Sequence, residues 1–156
     1  MTHRHTFTVK EQVMQVGGGV TQRRLTFNGQ VPGPVLRGKV GDTFEITLVN
    51  DGTMSHSLDF HAGITPPDKA MRSINPGESL VYTFKAQHSG IWLYHCSTSP
   101  MSLHLAAGMH GAVIIDPPGL PAVDREYAIV ASEVYLGPDG GEPNTDKIAA
   151  KTPDLM

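Results

Sequence analysis

Residues 90–111 read GIWLYHCSTSPMSLHLAAGMHG, and this stretch decides how the rest of the chain is interpreted. An apolar, aromatic run leads to Cys96, the only cysteine of the sequence. His104 and Met109 follow it within the same stretch. A thiolate, an imidazole and a thioether are therefore gathered directly behind a predicted strand, and together they form a soft set of metal ligands.

These side chains favour a mononuclear copper site of type 1. Such a site takes a cysteine and two histidines in one plane and a weak, long axial methionine. His56, in the segment SHSLDFHAG, is the candidate for the second histidine. The alternative is structural, because a single cysteine is most often a small buried hydrophobic residue. The presence of Cys, His and Met together within residues 96–109 favours the metal site over that alternative.

Composition limits the classes of function that the chain can serve. Its 156 residues suffice for one domain with a full core. The formal charge is −3, with 12 Lys+Arg and no basic cluster, which argues against nucleic acid and anionic membrane as partners. The start of the chain lacks the pattern of a secretory leader, so we expect a cytosolic chain or one whose leader has been removed. The 17 glycines and 12 prolines favour short strands joined by turns.

Apolar and polar residues alternate along several segments, most clearly over residues 43–50 and 79–85. Such alternation is typical of strands with one buried face. With about eight strands at this spacing, the sequence predicts an all-β fold, a Greek-key β-sandwich. The first strand, over residues 1–16, is expected at a sheet edge. The other strands are predicted over residues 24–28, 35–37, 55–61, 91–96 and 112–116.

The character of the sequence changes after the predicted sandwich. We assign residues 1–116 to the sandwich with its type 1 copper site, and residues 117–136 to a proline-rich linker with an extra strand over residues 126–132. Residues 137–156 are rich in Gly, Pro and Asp. They are expected to form a loosely ordered, irregular tail with at most one helical turn, as in a truncated interdomain linker.

Side chains of a strand alternate between its two faces, and this sorts four candidate ligands into two pairs. Cys96 points to the face opposite His95, and His56 to the face opposite His61 if its strand is regular. An inner pair, His56 and Cys96, would join the type 1 site. An outer pair, His61 and His95, would offer two imidazoles to a second metal, which two ligands alone are not enough to hold. The alternative is that the outer pair consists of ordinary polar residues on a solvated face.

Four other histidines are given no ligand role. His3 and His5 form a His-X-His pair that could bind metal, but at a chain terminus the pair is more simply incidental. His88 is expected in an exposed turn, and His110 only follows the methionine of the loop.

The chain resembles a cupredoxin, and more closely the N-terminal domain of copper nitrite reductases and of two-domain multicopper oxidases. The resemblance covers roughly residues 10–136. It rests on the segments FNGQVPGP at residues 27–34, HSLDFH at 56–61, YHC at 94–96 and GM at 108–109.

The resemblance implies roles for particular residues. Asp59 matches the catalytic aspartate that handles protons in the family. A type 2 copper would take two histidines from this domain and a third from the second domain of a neighbouring subunit. The ligands implied are His56, Cys96, His104 and Met109 for type 1 copper, and His61 and His95 for type 2 copper.

Two departures from related enzymes refine this expectation. Cys96 is followed by Ser97, whereas laccase-type enzymes carry a histidine there to feed a trinuclear cluster. The body of the domain also lacks a His-X-His motif, which favours the nitrite-reductase type of site. A second cupredoxin domain is absent, so the chain is expected to correspond to half of such an enzyme.

The resemblance implies a copper oxidoreductase domain. Electrons would pass from the type 1 copper through Cys96 and His95 to an interfacial type 2 copper that reduces a small oxygen-containing ligand, nitrite or O2. The implied partners are an electron-donor protein or small reductant, a small-molecule acceptor and two further copies in a homotrimer, in the periplasm or outside the cell. Two alternatives stay open: a stand-alone electron-transfer cupredoxin with type 1 copper only, and a redox-silent copper-binding module.

Overall fold

The chain folds into two four-stranded sheets that pack face to face. This computed structural model describes residues 1–65 and 71–156. In chain order the strands are β1 (Thr2–Gly17), β2 (Val20–Phe27), β3 (Leu36–Lys39), β4 (Thr43–Asn50), β5 (Asp59–Phe60), β6 (Ser79–Lys85), β7 (Gly90–His95) and β8 (His110–Asp116). One sheet has the order β2-β1-β4-β6 and the other β3-β8-β7-β5. The predicted all-β cupredoxin sandwich of about eight strands is confirmed.

The first strand lies inside its sheet, and the prediction of an edge strand is wrong. Its first half pairs in parallel with β4, from Thr2 to Val9, and its second half pairs antiparallel with β2. The alternation of side chains predicts which face of a strand is buried. It does not predict whether the strand pairs with one neighbour or two, so the interior position of β1 could not be read from the sequence. His3 is held in the paired half, where its Nε2 lies 2.8 Å from Asp42 Oδ2.

An aromatic cluster joins the two sheets. The Tyr94 ring on β7 lies 5.2 Å from Phe60, 5.3 Å from Phe7 and 5.7 Å from Phe27 between ring centroids. All four side chains are fully buried. The Tyr94 hydroxyl donates to the Pro34 carbonyl at 2.7 Å, which satisfies the one polar group of the cluster. This cluster fixes the position of β7, the strand that leads to Cys96, relative to the opposite sheet.

Gly111 on β8 lies opposite Tyr94 in the antiparallel pair of β7 and β8. A Cβ atom at Gly111 would stand 2.3 Å from the Tyr94 ring. The phenol therefore occupies the space that any other residue's side chain would need, and glycine is required by this close approach.

The described residues include two short helices, α1 (Met101–Ala106) between β7 and β8 and α2 (Thr145–Ala150) near the end of the chain. The amide of Leu25 on β2 donates to the carbonyl of Ala107 at 3.1 Å and so holds the end of α1 against the first sheet. No helix in the described parts of the chain combines the length and the apolar character needed to cross a membrane.

The segment after the sandwich differs from the prediction. Residues 126–132, predicted as an extra strand, form no strand and pair with none among the described residues. β3 and β5 form the edges of the neighbouring sheet, and neither pairs with this segment.

The predicted loosely ordered tail instead docks on β2. The Gly140 amide donates to the Thr21 carbonyl at 3.0 Å, and the Arg23 amide donates to the Gly141 carbonyl at 2.8 Å. Tyr135 is buried, and its carbonyl accepts the Gln22 side-chain amide at 2.9 Å. β2 is an edge strand with free backbone groups, and the tail satisfies them, which composition could not reveal.

The contact between Gly111 and Tyr94 gives a stability test. Gly111→Ala should lower the free energy of unfolding by about 2–3 kcal/mol, because the new methyl group overpacks the aromatic cluster. Gly19→Ala is the matched control: it meets no atom within 4 Å but has a φ of +76°. That control should cost only about 1 kcal/mol of left-handed backbone strain. Urea unfolding measures both, and equal losses would contradict the proposed role of Tyr94.

Candidate metal centres

Three buried side chains converge at one end of the sandwich. His56, Cys96 and His104 each offer a ligand atom, and these atoms all lie within 4.8 Å of one another. The Cys96 Sγ lies 3.9 Å from His56 Nδ1. The two imidazole rings meet edge to face with centroids 5.1 Å apart. We call these three residues the inner group.

Backbone hydrogen bonds in the connection between β7 and β8 place the inner group. Cys96 follows β7 directly, and its amide donates to the Met109 carbonyl at 3.1 Å. The Met109 amide in turn donates to the His104 carbonyl at 3.0 Å. The connection thus holds Cys96, His104 and the fully buried Met109 as one unit. Gly108 permits the close turn, since a Cβ there would stand 2.5 Å from Val31 at a φ of +121°.

The inner group has unused lone pairs that fit a metal. His104 Nδ1 lies 3.0 Å from the Pro100 carbonyl, so this nitrogen carries the proton and the lone pair is on Nε2. That Nε2 is buried and has no hydrogen-bond partner among the described residues. The His56 nitrogen that faces Cys96 Sγ is Nδ1. An unpaired buried polar group costs about 1–3 kcal/mol. A bound metal would relieve such a cost, and a thiolate with two imidazoles is a donor set that suits copper.

The environment keeps His56 neutral. Burial, reinforced by the nearby His104, lowers the pKa of His56 from 6.5 to about 4. A metal binds a ring nitrogen that carries no proton, so at neutral pH this residue can present one nitrogen lone pair without first losing a proton.

A second set of side chains lies on the opposite face of the same sheet. His61 Nε2 is 3.1 Å from His95 Nε2. Asp59 Oδ2 lies 3.6 Å from the His95 nitrogen and 3.7 Å from the His61 nitrogen. We call these three residues the outer group. Its exposure is uneven: the His95 side chain is buried, whereas 46% of the His61 side chain is accessible.

The pairing of β5 with β7 builds the outer group. Asp59 is the register partner of His95 in this antiparallel pair. The His95 Nδ1 lies 3.0 Å from the Cys96 carbonyl, so this nitrogen carries the proton and Nε2 is free to bind a metal. His95 and Cys96 are adjacent in sequence yet serve the two groups on opposite faces, as strand alternation requires.

The structure thus brings the predicted residues together in the predicted two sets, with Asp59 beside the outer histidines. Whether each residue binds metal stays a prediction. One residue near the inner group, Ser57, was not singled out from the sequence. Ser57 is fully buried, and its amide lies 3.4 Å from Cys96 Sγ. In the sequence, only its position directly after His56 could have identified Ser57 as a neighbour of the inner group.

His110 was considered and given no role. It is buried, its Nδ1 lies 3.3 Å from the Leu105 carbonyl, and its Nε2 has no partner among the described residues. His3 and His5 belong to β1 in the other sheet and take no part in either group.

Comparison with known proteins agrees with this geometry. Residues 8–119 match the family model described as multicopper oxidase. The chain belongs to the multicopper oxidase family. It is 37% identical over 155 residues to the copper-containing nitrite reductase of Neisseria gonorrhoeae, covering 94% of this chain and 40% of that protein. This multicopper oxidase family member therefore matches only part of a longer relative.

Solved structures support the same placement. The copper nitrite reductase from Nitrosomonas europaea superposes with a TM-score of 0.89 at 40% identity, covering 98% of this chain and 54% of that one. A multicopper oxidase crystal structure superposes with a TM-score of 0.73 at 31% identity, covering 79% of this chain and 45% of that one. The chain spans about half the length of these relatives, or less.

The lowered pKa of His56 predicts how the metal-free protein responds to acid. Because the folded pKa lies below the unfolded value, the unfolded state takes up protons first as the pH falls. Stability should therefore be intact above pH 6.5 and decline toward pH 4, with a loss of roughly 3 kcal/mol from this residue.

Urea unfolding at several pH values measures this effect. His56→Gln should flatten the profile between pH 6.5 and 4, whereas His88→Gln, at an exposed imidazole, should leave it unchanged. An unaltered profile in the His56 variant would show that other groups cause the acid sensitivity.

Proposed function

We propose that this chain is the copper-binding electron-transfer domain of an oxidoreductase of the nitrite reductase type. The observation that carries the proposal is the inner group: a buried cysteine and two imidazoles whose ligand atoms lie within 4.8 Å of one another, with His104 Nε2 free of any other partner among the described residues. The likeness to copper nitrite reductases supports copper over other metals that take such ligands.

In this proposal His56, Cys96, His104 and Met109 would hold a type 1 copper, with the Met109 thioether as the weakest of the four donors. Copper bound there would accept and release one electron by cycling between Cu(II) and Cu(I). The residues themselves exclude water, since all four are buried. The backbone hydrogen bonds of the loop hold them in place, so the site changes little when its charge changes.

His61 and His95 in this proposal hold a second, type 2 copper. His61 is half-exposed, and the outer group offers only two imidazoles, so a further ligand would come from another domain or subunit. The peptide unit between His95 and Cys96 is a covalent path between the two groups. Asp59 would accept and deliver protons there, since its carboxylate lies near both imidazole nitrogens and remains partly open to solvent. The acceptor would be nitrite or O2.

The strand face that carries His95 also has features of a subunit interface. Ile91 and Leu93 share the strand face of His95, and 78% and 39% of their surfaces are accessible. Apolar surface beside an incomplete ligand set favours a covering neighbour. We propose a cyclic homotrimer, supplied with electrons by a donor protein or small reductant, in the periplasm or outside the cell, as the resemblance implies.

The second candidate is a stand-alone electron-transfer cupredoxin with type 1 copper only. The exposure of His61 favours it, because an outer group that stays open to water would lack the ligands for a tightly bound metal.

Replacement of the inner ligands tests the first centre. Copper-loaded protein should absorb strongly in the visible range through thiolate-to-copper charge transfer, and Cys96→Ser should abolish the band. Met109→Leu should keep the band and raise the reduction potential, because it removes a weak donor to Cu(II). Met101→Leu, at a half-exposed methionine, is the matched control and should change neither. A full band in Cys96→Ser would refute the type 1 assignment.

Copper content and turnover test the second centre. The double variant His61→Ala, His95→Ala should lose one of two coppers per chain and all nitrite reduction, yet keep the visible band. His88→Ala should behave like the unaltered protein. Sedimentation of both should report whether the outer group contributes to assembly. A monomer with one copper per chain and no turnover would leave the electron-transfer cupredoxin as the function.

A further inference from the structure

Cys96 Sγ faces hydroxyl groups as well as imidazoles. Ser57 offers it two donors, a backbone amide at 3.4 Å and a hydroxyl oxygen at 3.8 Å. Ser57 is fully buried, and its position is fixed because the preceding residue, His56, exchanges backbone hydrogen bonds with Ile74. The hydroxyl therefore stands beside the sulfur for a structural reason and cannot turn away to solvent.

The hydrogen bonds at the Ser57 oxygen determine where its proton goes. The oxygen accepts from the Ser97 amide at 3.0 Å and from the Thr98 hydroxyl at 3.0 Å. A hydroxyl has two lone pairs and one proton, so both acceptor positions are filled. The proton must be donated. Two acceptors are within reach, Cys96 Sγ at 3.8 Å and Ser97 Oγ at 3.0 Å.

The charge of the sulfur decides between these acceptors. A neutral thiol is a weak acceptor, so the nearer Ser97 oxygen competes well for the proton. A thiolate carries negative charge, and hydrogen bonds to an ionised acceptor are roughly twice as strong as neutral ones. Metal binding requires the thiolate, so the same event that fills the inner group turns the Ser57 hydroxyl toward the sulfur.

We propose that Ser57 is a positioning residue whose hydroxyl is the second hydrogen-bond donor to the Cys96 thiolate and raises the reduction potential of the bound copper. The inference rests on the proposed type 1 centre. A hydrogen bond to the sulfur withdraws electron density that the thiolate would otherwise give to Cu(II), which makes reduction easier. The hydroxyls of Ser97 and Thr98 act through Ser57, and Ser73 extends the chain to the surface, with its Oγ 2.8 Å from Thr98 Oγ1.

Substitution of Ser57 tests the hydroxyl while keeping the backbone amide. At a fixed ratio of oxidised to reduced redox mediator, Ser57→Ala should shift the Cu(II)/Cu(I) equilibrium about tenfold toward Cu(II). This corresponds to a reduction potential lower by ~59 mV for a one-electron couple. The visible band should move to longer wavelength, because a thiolate with one hydrogen bond fewer is a better electron donor. Ser57→Thr retains the hydroxyl and should restore both values. Ser73→Ala removes a hydroxyl at the exposed end of the chain and should leave both unchanged.

Two further measurements separate this role from loop packing. Ser97→Ala removes the competing acceptor but keeps the amide that orients Ser57, so its potential should equal or exceed that of the unaltered protein. Transfer to D2O should shift the Cu–S stretching frequencies in the Raman spectrum more in the unaltered protein than in Ser57→Ala.

The outcomes are distinct. An unchanged potential and band in Ser57→Ala, or an equal fall of the potential in Ser97→Ala, overturns the inference and leaves the copper centre in place. Absence of any thiolate-to-copper band in the unaltered protein overturns the proposed centre itself, and the inference with it.

Discussion

The hydrogen bond from the Cys96 amide to the Met109 carbonyl closes the connection between β7 and β8 into a loop of fixed shape. The Met109 amide continues the constraint by donating to the His104 carbonyl. Three candidate ligands are thereby fixed relative to one another by main-chain atoms, independently of any metal. Since main-chain hydrogen bonds hold the loop, the candidate ligand side chains are not needed to stabilise it. Their lone pairs therefore remain available to bind a metal.

A single strand then connects two chemically different environments. Cys96 enters a buried cluster in which polar nitrogen atoms lack protein partners among the described residues, while the adjacent His95 enters a half-open cluster with a carboxylate. The difference follows from the pleat of the strand, which sends neighbouring side chains to opposite faces of the sheet. The aromatic cluster around Tyr94 holds that strand in place, so the separation of the two environments depends on core packing some distance from either metal group.

The surroundings of the sulfur also show how small groups can tune a site. Ser57 places an amide and a hydroxyl near one thiolate, and the hydroxyl is oriented by donors from the segment that follows Cys96. Two candidate ligands, His56 and Cys96, and the hydroxyl groups nearest the sulfur thus come from the same two short segments, SHS and HCST.

The sequence by itself determined the sandwich and the two candidate ligand groups. Alternation over Thr43–Asn50 and Ser79–Lys85 predicted strands because strand periodicity is a local property. The parity of His95 and Cys96 likewise separated the two groups, since it depends only on neighbouring residues. Tertiary structure alone decided the rest: the interior position of β1, the docking of the tail on β2, the unpaired segment at residues 126–132 and the approach of Ser57 to the sulfur. Each of these depends on which backbone atoms remain free after distant segments have packed, and no local pattern in the chain records that.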